Sequence, residues 1–198
     1  MLRSEPAIEE RRHALMQPKI APLAAFVAAL RTEMGLSREI PDFDPWDGGV
    51  DAELLYLLEA PGAKAVQSGF ISRNNPDETA KNFFEINIEA GIPRERTVTW
   101  NIVPWYIGIE TRIRAANKLD AEAGIASLGR LLRLLPKLKA TVLVGKKALY
   151  AECAIRTFRP ELRIFRSPHP SPLFVNNAPK NRGLIVAALS QVATYLQQ

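Results

Sequence analysis

The sequence predicts an α/β fold built on a central four-stranded parallel sheet, and three observations carry that expectation. Four short strand-like runs stand at 53–58, 96–100, 140–144 and 162–165, with helical segments filling the gaps between them. The first run, Glu53-Leu-Leu-Tyr-Leu-Leu58, is continuously apolar rather than alternating, as in a strand covered on both faces. Every stretch of unusual composition follows directly on one of the four runs, where open parallel sheets hold their ligands.

The elements follow in order. Residues 4–16 and 19–34 read as helices; in the second, Leu23, Phe26, Val27 and Leu30 recur at i, i+3, i+4 and i+7, and Gly35 stands just past the end. The segment Ile40-Pro-Asp-Phe-Asp-Pro-Trp-Asp-Gly-Gly49 is a long turn-rich loop. Its aspartates, Asp42, Asp44 and Asp47, do not match the spacing of a twelve-residue calcium loop and lack its closing glutamate, which leaves them as solvated loop acids. The strand at 53–58 leads into Glu59-Ala-Pro-Gly62, and a helix at 77–91 follows, stopped by Gly91 and Pro93. The strand at 96–100 ends at Asn101-Ile-Val-Pro-Trp105, and an arginine-rich connection leads to a helix near 120–135. After the strand at 140–144, Gly145-Lys146-Lys147 opens a third crossover helix. The last strand, 162–165, runs into Arg166-Ser-Pro-His-Pro-Ser-Pro-Leu173, and a final helix spans 179–196. At 198 residues the expectation is one domain, with residues 1–50 packing on it as N-terminal helices and a loop.

Composition narrows the function classes. Hydrophobic residues make up 47% and charged residues 24%, ordinary for a globular chain. The balance of 26 basic against 21 acidic residues, net +5, permits a polyanionic partner without requiring one. A single cysteine, Cys153, excludes an internal disulfide, a Cys-based zinc site and a Cys-ligated iron–sulfur cluster. With His13 and His169 the only histidines, no metal and no cofactor are expected. No apolar run approaches the ~20 residues of a membrane span, and Met1 to Arg12 is charged rather than signal-like. A soluble, cytoplasmic, monomeric protein is expected.

The loops beyond the strands carry the candidate chemistry. Pro168, Pro170 and Pro172 fix φ and hold His169 and Ser171 in a stiff, extended segment. His169 either donates a hydrogen bond to an oxyanion or anchors its own loop. Asn101 either reads a base edge through its paired donor and acceptor or caps a turn. Ser171 suits phosphate binding; Leu173 is an exposed wedge or a core residue; Phe70 stacks on a planar ligand or fills the core. Glu59 is a site carboxylate or an arginine's partner. Lys64, Arg73, Lys146, Arg166, Lys180 and Arg182 fall in rim loops and together suit a phosphate backbone.

Taken in order, these stretches resemble the uracil-DNA glycosylase superfamily. Glu59-Ala-Pro-Gly62 resembles the first active-site motif of its iron–sulfur branch, and His169-Pro-Ser-Pro-Leu173 matches the second motif of its uracil-specific branch. Asn101 stands between them, where the superfamily places its base-reading asparagine. The fold implied is a three-layer αβα sandwich with strand order 2-1-3-4. The resemblance implies that Asn101 hydrogen-bonds a flipped uracil and rejects cytosine. It implies that His169 stabilises O2 as charge develops there, a contribution of about 2.7–4 kcal/mol for one such donor. Ser171 would hold a flanking phosphate and Leu173 would fill the vacated stack. Phe70 would stack on the base, with Phe83 or Phe84 as alternatives, and Ala60 and Gly62 would line the base pocket.

Three departures stand out. Ala60 occupies the position of a water-orienting aspartate, so that part falls to Glu59, a backbone carbonyl or another group. Gly62 replaces the bulky tyrosine that excludes the thymine methyl, and the lone Cys153 means no iron–sulfur cluster. The function implied is a monofunctional glycosylase that releases free uracil from single- or double-stranded DNA and leaves an abasic site. The alternative is a uracil or damaged-base binding protein with little turnover or a covalent adduct.

Overall fold

The computed structural model describes residues 1–35, 38–109 and 112–198; residues 110 and 111 of the arginine-rich connection lie outside it. The chain begins with helices α1 (Glu5–Ala14) and α2 (Ala21–Met34), followed by β1 (Asp42–Phe43) and β2 (Leu54–Leu58). Next come α3 (Ala63–Ser68), β3 (Phe70–Ile71), α4 (Glu78–Glu89) and β4 (Thr97–Asn101). A small hairpin, β5 (Gly108–Ile109) and β6 (Arg112–Ile113), precedes α5 (Lys118–Ile125), α6 (Leu128–Arg133) and β7 (Ala140–Val144). The chain closes with α7 (Glu152–Phe158), β8 (Arg163–Ser167), α8 (Pro172–Val175) and α9 (Lys180–Leu196).

The central sheet is parallel throughout, in the order β4-β2-β7-β8, which by order of appearance is 2-1-3-4. Alternation along each strand assigns the two faces. Leu55, Leu57, Val98, Trp100 and Leu143 pack with α2, α6 and α7 through residues such as Phe26, Leu131 and Ile155. Leu54, Tyr56, Val142 and Val144 pack with α4 and α9 through Phe83, Ile86, Leu189 and Val192. Phe43 stacks on Trp100 with ring centroids 4.1 Å apart, joining the N-terminal loop to the sheet; truncating such a buried aromatic to alanine costs about 3–5 kcal/mol. At the carboxyl ends Leu58 pairs with Asn101 and Val144 with Ser167, so the loops beyond these strands leave from one rim.

Several local expectations are corrected. The helix expected near 120–135 is two, α5 and α6, broken where the Ser127 hydroxyl donates back to the Gly124 carbonyl at 2.9 Å. After β7 the chain takes a 3₁₀ turn, Lys147–Ala151, before α7 begins. The last strand extends two residues further than its apolar run, to Ser167, because the Gly145 N–H donates to the Ser167 carbonyl at 2.8 Å.

The aspartates of the turn-rich loop are not solvated. Asp44 and Asp47 are each 1% exposed and Asp42 is half-buried. Asp44 accepts from Arg11 Nε at 3.1 Å, from Arg94 Nη2 at 2.6 Å and from the Ser72 hydroxyl. Asp47 accepts from Arg73 Nη2 at 3.0 Å and Arg94 Nε at 2.8 Å. The partners come from α1, the segment after β3 and the turn before β4, too far along the chain for local spacing to reveal them. Arg11 also lies over the Trp46 ring at 3.6 Å, so α1 is fastened by charge as well as by Ile8. Among the described residues no helix is long and apolar enough to cross a membrane.

Candidate active site

A cleft of about 570 Å³ opens at the carboxyl rim of the sheet. It is lined from the loop after β2 by Glu59, Ala60 and Gly62, from the start of α3 by Lys64, from the end of β4 by Thr99 and Asn101, and from the last loop by His169 and Ser171. Ile71 and Arg73 from the β3 segment, Thr79 and Phe83 from α4, and Ile113 and Arg114 from the small hairpin complete it. Among the described residues no group of three or more His, Cys, Asp or Glu side chains is placed to hold a metal ion.

Asn101 is the last residue of an edge strand and is 3% exposed. Its Nδ2 is buried without an acceptor. A buried amide left unpaired is unusual and costs about 1–3 kcal/mol, so an asparagine held this way in the lining of a cleft is ready for a ligand acceptor. Thr99, two residues earlier on the same strand face, is also buried with its hydroxyl unpaired.

His169 is held from two sides. Gly145, in the left-handed region at φ 82°, lies against the histidine side chain, and a Cβ there would stand 3.4 Å from Cδ2. Asn82 on α4 donates from Nδ2 to the Pro170 carbonyl at 3.1 Å, tying the loop to the helix. Burial pushes the imidazole below its ordinary value, so at neutral pH it is uncharged, with one N–H to donate. Ser171 is the N-cap of α8, its carbonyl accepting from Phe174 and Val175 at 3.0 and 2.9 Å. Leu173 stands 86% exposed, which removes the core alternative for it.

Glu59 is fixed by a neighbouring loop rather than by an arginine. Its Oε1 accepts from the Ala116 N–H at 2.6 Å, and the Ala116 carbonyl accepts from Lys147 Nζ at 2.7 Å. Three rim segments are thereby joined through the backbone of Ala116. At Gly62 an added Cβ would meet nothing within 4 Å, so this side of the cleft is open.

Two sequence-based assignments are corrected. Phe70 is 1% exposed and packs with Leu2 and Ile8 in a separate apolar cluster. The two residues of β3 point to opposite sides, and it is Ile71 that lines the cleft. The aromatic wall is Phe83, edge-on to Tyr56 at 4.8 Å; Phe84, on another side of α4, is exposed. Arg73 is no surface cation: its side chain is 3% exposed and paired with Asp47. Of the remaining basic residues, Lys64 lines the mouth, Lys146 and Lys180 are exposed, Arg166 pairs with Glu152 at 2.7 Å and Arg182 with Glu89 at 2.8 Å. Such surface pairs are weak enough to exchange for phosphate.

Thr99, Ile71 and Asn82 also belong to the site or its support, beyond the residues expected from sequence. For Thr99 a signal was present, since Thr97, Thr99 and Asn101 alternate along one strand and put three polar side chains on a single face. For Asn82 there was none, because its partner lies 88 residues away.

The arrangement combines an apolar wall, an unpaired carboxamide donor, a neutral histidine and a fixed carboxylate in one slot. No curated protein matches the chain. The crystal structure of SMUG2 from Pedobacter heparinus shares the fold, with a TM-score of 0.56 and 14% identity over 74% of this chain and 76% of that one. A solution structure of a candidate uracil DNA glycosylase from Methanosarcina acetivorans does so with a TM-score of 0.50 and 14% identity, over 73% of this chain and 92% of that one. The model of the uracil DNA glycosylase superfamily matches residues 45–193, a span that takes in the whole central sheet and the rim loops, and the chain belongs to that superfamily.

Proposed function

We propose that the protein is a monofunctional uracil-DNA glycosylase: it turns deoxyuridine out of DNA into the rim cleft, hydrolyses the bond between C1′ and N1, and leaves an abasic site. The observation that carries the reading is the pair formed by Asn101 and His169 on one cleft. Asn101 offers a buried, unpaired donor and His169 a neutral N–H. In this reading the Asn101 carboxamide binds the O4 and N3–H edge of uracil. The cytosine edge, with donor and acceptor exchanged, leaves both groups mispaired. His169 donates to O2 as the leaving base takes up negative charge, which is worth most in a water-poor slot.

Phe83 and Ile71 supply the apolar surface on which the base rests. Leu173, projecting 86% exposed beside Ser171, fills the space that the base leaves in the duplex, while Ser171, Lys64 and the exposed rim cations hold flanking phosphates. Glu59 is the carboxylate available to orient water in place of the aspartate absent at Ala60, with Oε1 engaged by Ala116 and its other oxygen free of that bond. No lysine is needed in a covalent step.

Oligonucleotides carrying uracil, thymine, cytosine or hypoxanthine at one position, single- and double-stranded, test the reading after alkali treatment. Cleavage at uracil with none at cytosine is expected. Absence of cleavage at uracil in both strand forms sinks it, and tight retention of uracil DNA without release of base points instead to a binding protein.

A further inference from the structure

Among the described residues five buried side-chain polar atoms have no hydrogen-bond partner, and three of them belong to residues that line the cleft: Arg73 Nε, Thr99 Oγ1 and Asn101 Nδ2. Unpaired buried polar atoms are few in folded proteins, and their concentration around one slot is a property of the slot. The proposed function uses only Asn101.

The other two are set up by the same strand. Thr97, Thr99 and Asn101 share one face of β4, so a polar stripe runs along the edge of the sheet towards the rim. Arg73 is pinned at the inner end of the stripe, where its Nη2 donates to the Thr97 hydroxyl at 2.6 Å and to Asp47 at 3.0 Å. That leaves Nε–H without an acceptor while the residue contributes to the cleft lining.

Charge singles out the same residue. Arg11, Arg73 and Arg94 share the two carboxylates of Asp44 and Asp47, so the cluster contains one more cation than anion. Arg11 and Arg94 are not among the lining residues, whereas Arg73 is, and the other lining cations, Lys64 and Arg114, are exposed at the mouth. Arg73 is thus the buried cation of the described cleft, and a guanidinium held by Asp47 and Thr97 needs no rearrangement to act.

We propose that Arg73, assisted by Thr99, is a base-binding residue of this cleft: its Nε–H donates to a carbonyl oxygen of the extruded base, and its fixed charge stabilises the anion that the base becomes. The inference rests on the glycosylase reading and deepens it. With Arg73 and Asn101 both presenting N–H donors, the class of base selected is one with two ring carbonyls. The electron pair of the C1′–N1 bond leaves with the base and spreads over its carbonyl oxygens; water supplies the hydroxyl to C1′, and its proton ends on the released base.

Single-turnover excision of uracil and of 5-fluorouracil from otherwise identical oligonucleotides by wild type, Arg73→Met, Arg73→Lys and Thr99→Val tests this. The fluorinated base is the better leaving group and depends less on charge stabilisation. Arg73→Met is expected to slow uracil release about 100-fold and 5-fluorouracil release about 10-fold or less, with Arg73→Lys and Thr99→Val losing less but in the same unequal way. Equal losses on the two bases, or none, overturn the proposal. If Arg73→Met fails to fold, the two milder variants, checked for wild-type melting, carry the same comparison. Should the wild type release no uracil at all, the glycosylase reading fails first. Binding to DNA containing 2′-fluoro-2′-deoxyuridine, which resists cleavage, then tests the contact by itself: a loss of about tenfold for Arg73→Lys supports it, and unchanged affinity overturns it.

Discussion

Gly145 and His169 are packed against each other: a Cβ built on Gly145 would stand 3.2 Å from the Cβ of His169, and the glycine itself sits at φ 82°. The residue just past the third strand of the sheet therefore sets how close the histidine loop approaches. Gly145→Ala is expected to cost about 1–2 kcal/mol in stability from the left-handed backbone alone, measurable by urea unfolding. Its larger effect should be on rate, because the new methyl pushes the imidazole outward, and a shift approaching 1 Å costs up to about 100-fold. An alanine variant with wild-type single-turnover rate would show that His169 does not need this seat.

Burial lowers the titration of His169, and the sign of the consequence is definite. The unfolded chain takes up the proton at the ordinary value of 6.5, the folded chain only at lower pH. The stability contributed by the neutral, half-buried ring is full above 6.5 and is lost as pH falls through the histidine range. A donor that works as neutral imidazole should therefore give a single-turnover rate with no His169 step at or above pH 6.5. A step in that range that vanishes in His169→Gln would mean that the protonated form is the working one.

The parts legible in the sequence were those whose signals are local. Asn101 and His169 stand at the ends of apolar runs, and the strand order follows from the family that those motifs indicate. The illegible parts depend on partners far along the chain. Asp44 and Asp47 read as loop acids because their arginines lie 26 to 50 residues away. Phe70 reads as the stacking ring because nothing local shows which of Phe70 and Ile71 faces the cleft; in a two-residue strand, alternation has too little length to declare itself. The same separation in sequence turned Arg73 from a rim cation into a buried one.

The buried charges should be costly to break. Asp44 pairs with both Arg11 and Arg94 and accepts from Ser72. Asp44→Ala leaves the buried Arg11 without a carboxylate and Arg94 with Asp47 alone, and a loss of about 3–5 kcal/mol is expected, read as a fall in the urea midpoint. Asp51→Ala, whose partner Lys137 lies on the surface, should change stability by less than about 1 kcal/mol. Similar losses at the two positions would contradict the burial difference.

Leu173 offers the opposite separation, function without stability. At 86% exposure it contributes almost nothing to the core, so Leu173→Ala should leave the melting temperature unchanged. If the side chain fills the gap in the base stack, excision from duplex DNA should fall about tenfold or more, since unstacking costs a few kcal/mol there. Excision from single strands, where little stacking is lost, should hardly change. Equal losses on both substrates would remove the wedge and make Leu173 an ordinary contact.

Asn101→Asp tests the reader itself. The substitution is nearly isosteric, so a buried position at 3% exposure keeps its shape while its donor is lost. When ionised, the new carboxylate puts negative charge beside a leaving base that is becoming an anion, which opposes the charge stabilisation expected from His169. Uracil release should drop by about 10²–10³, the range for loss of one oriented donor. Cytosine presents an amino group where uracil presents O4, and a carboxylate oxygen accepts from it, so the ratio of uracil to cytosine excision should fall by more than tenfold. Both quantities come from one gel, with uracil and cytosine oligonucleotides treated with alkali after incubation. A variant that is slower on uracil yet equally selective would place the discrimination elsewhere in the cleft and leave Asn101 as a structural asparagine.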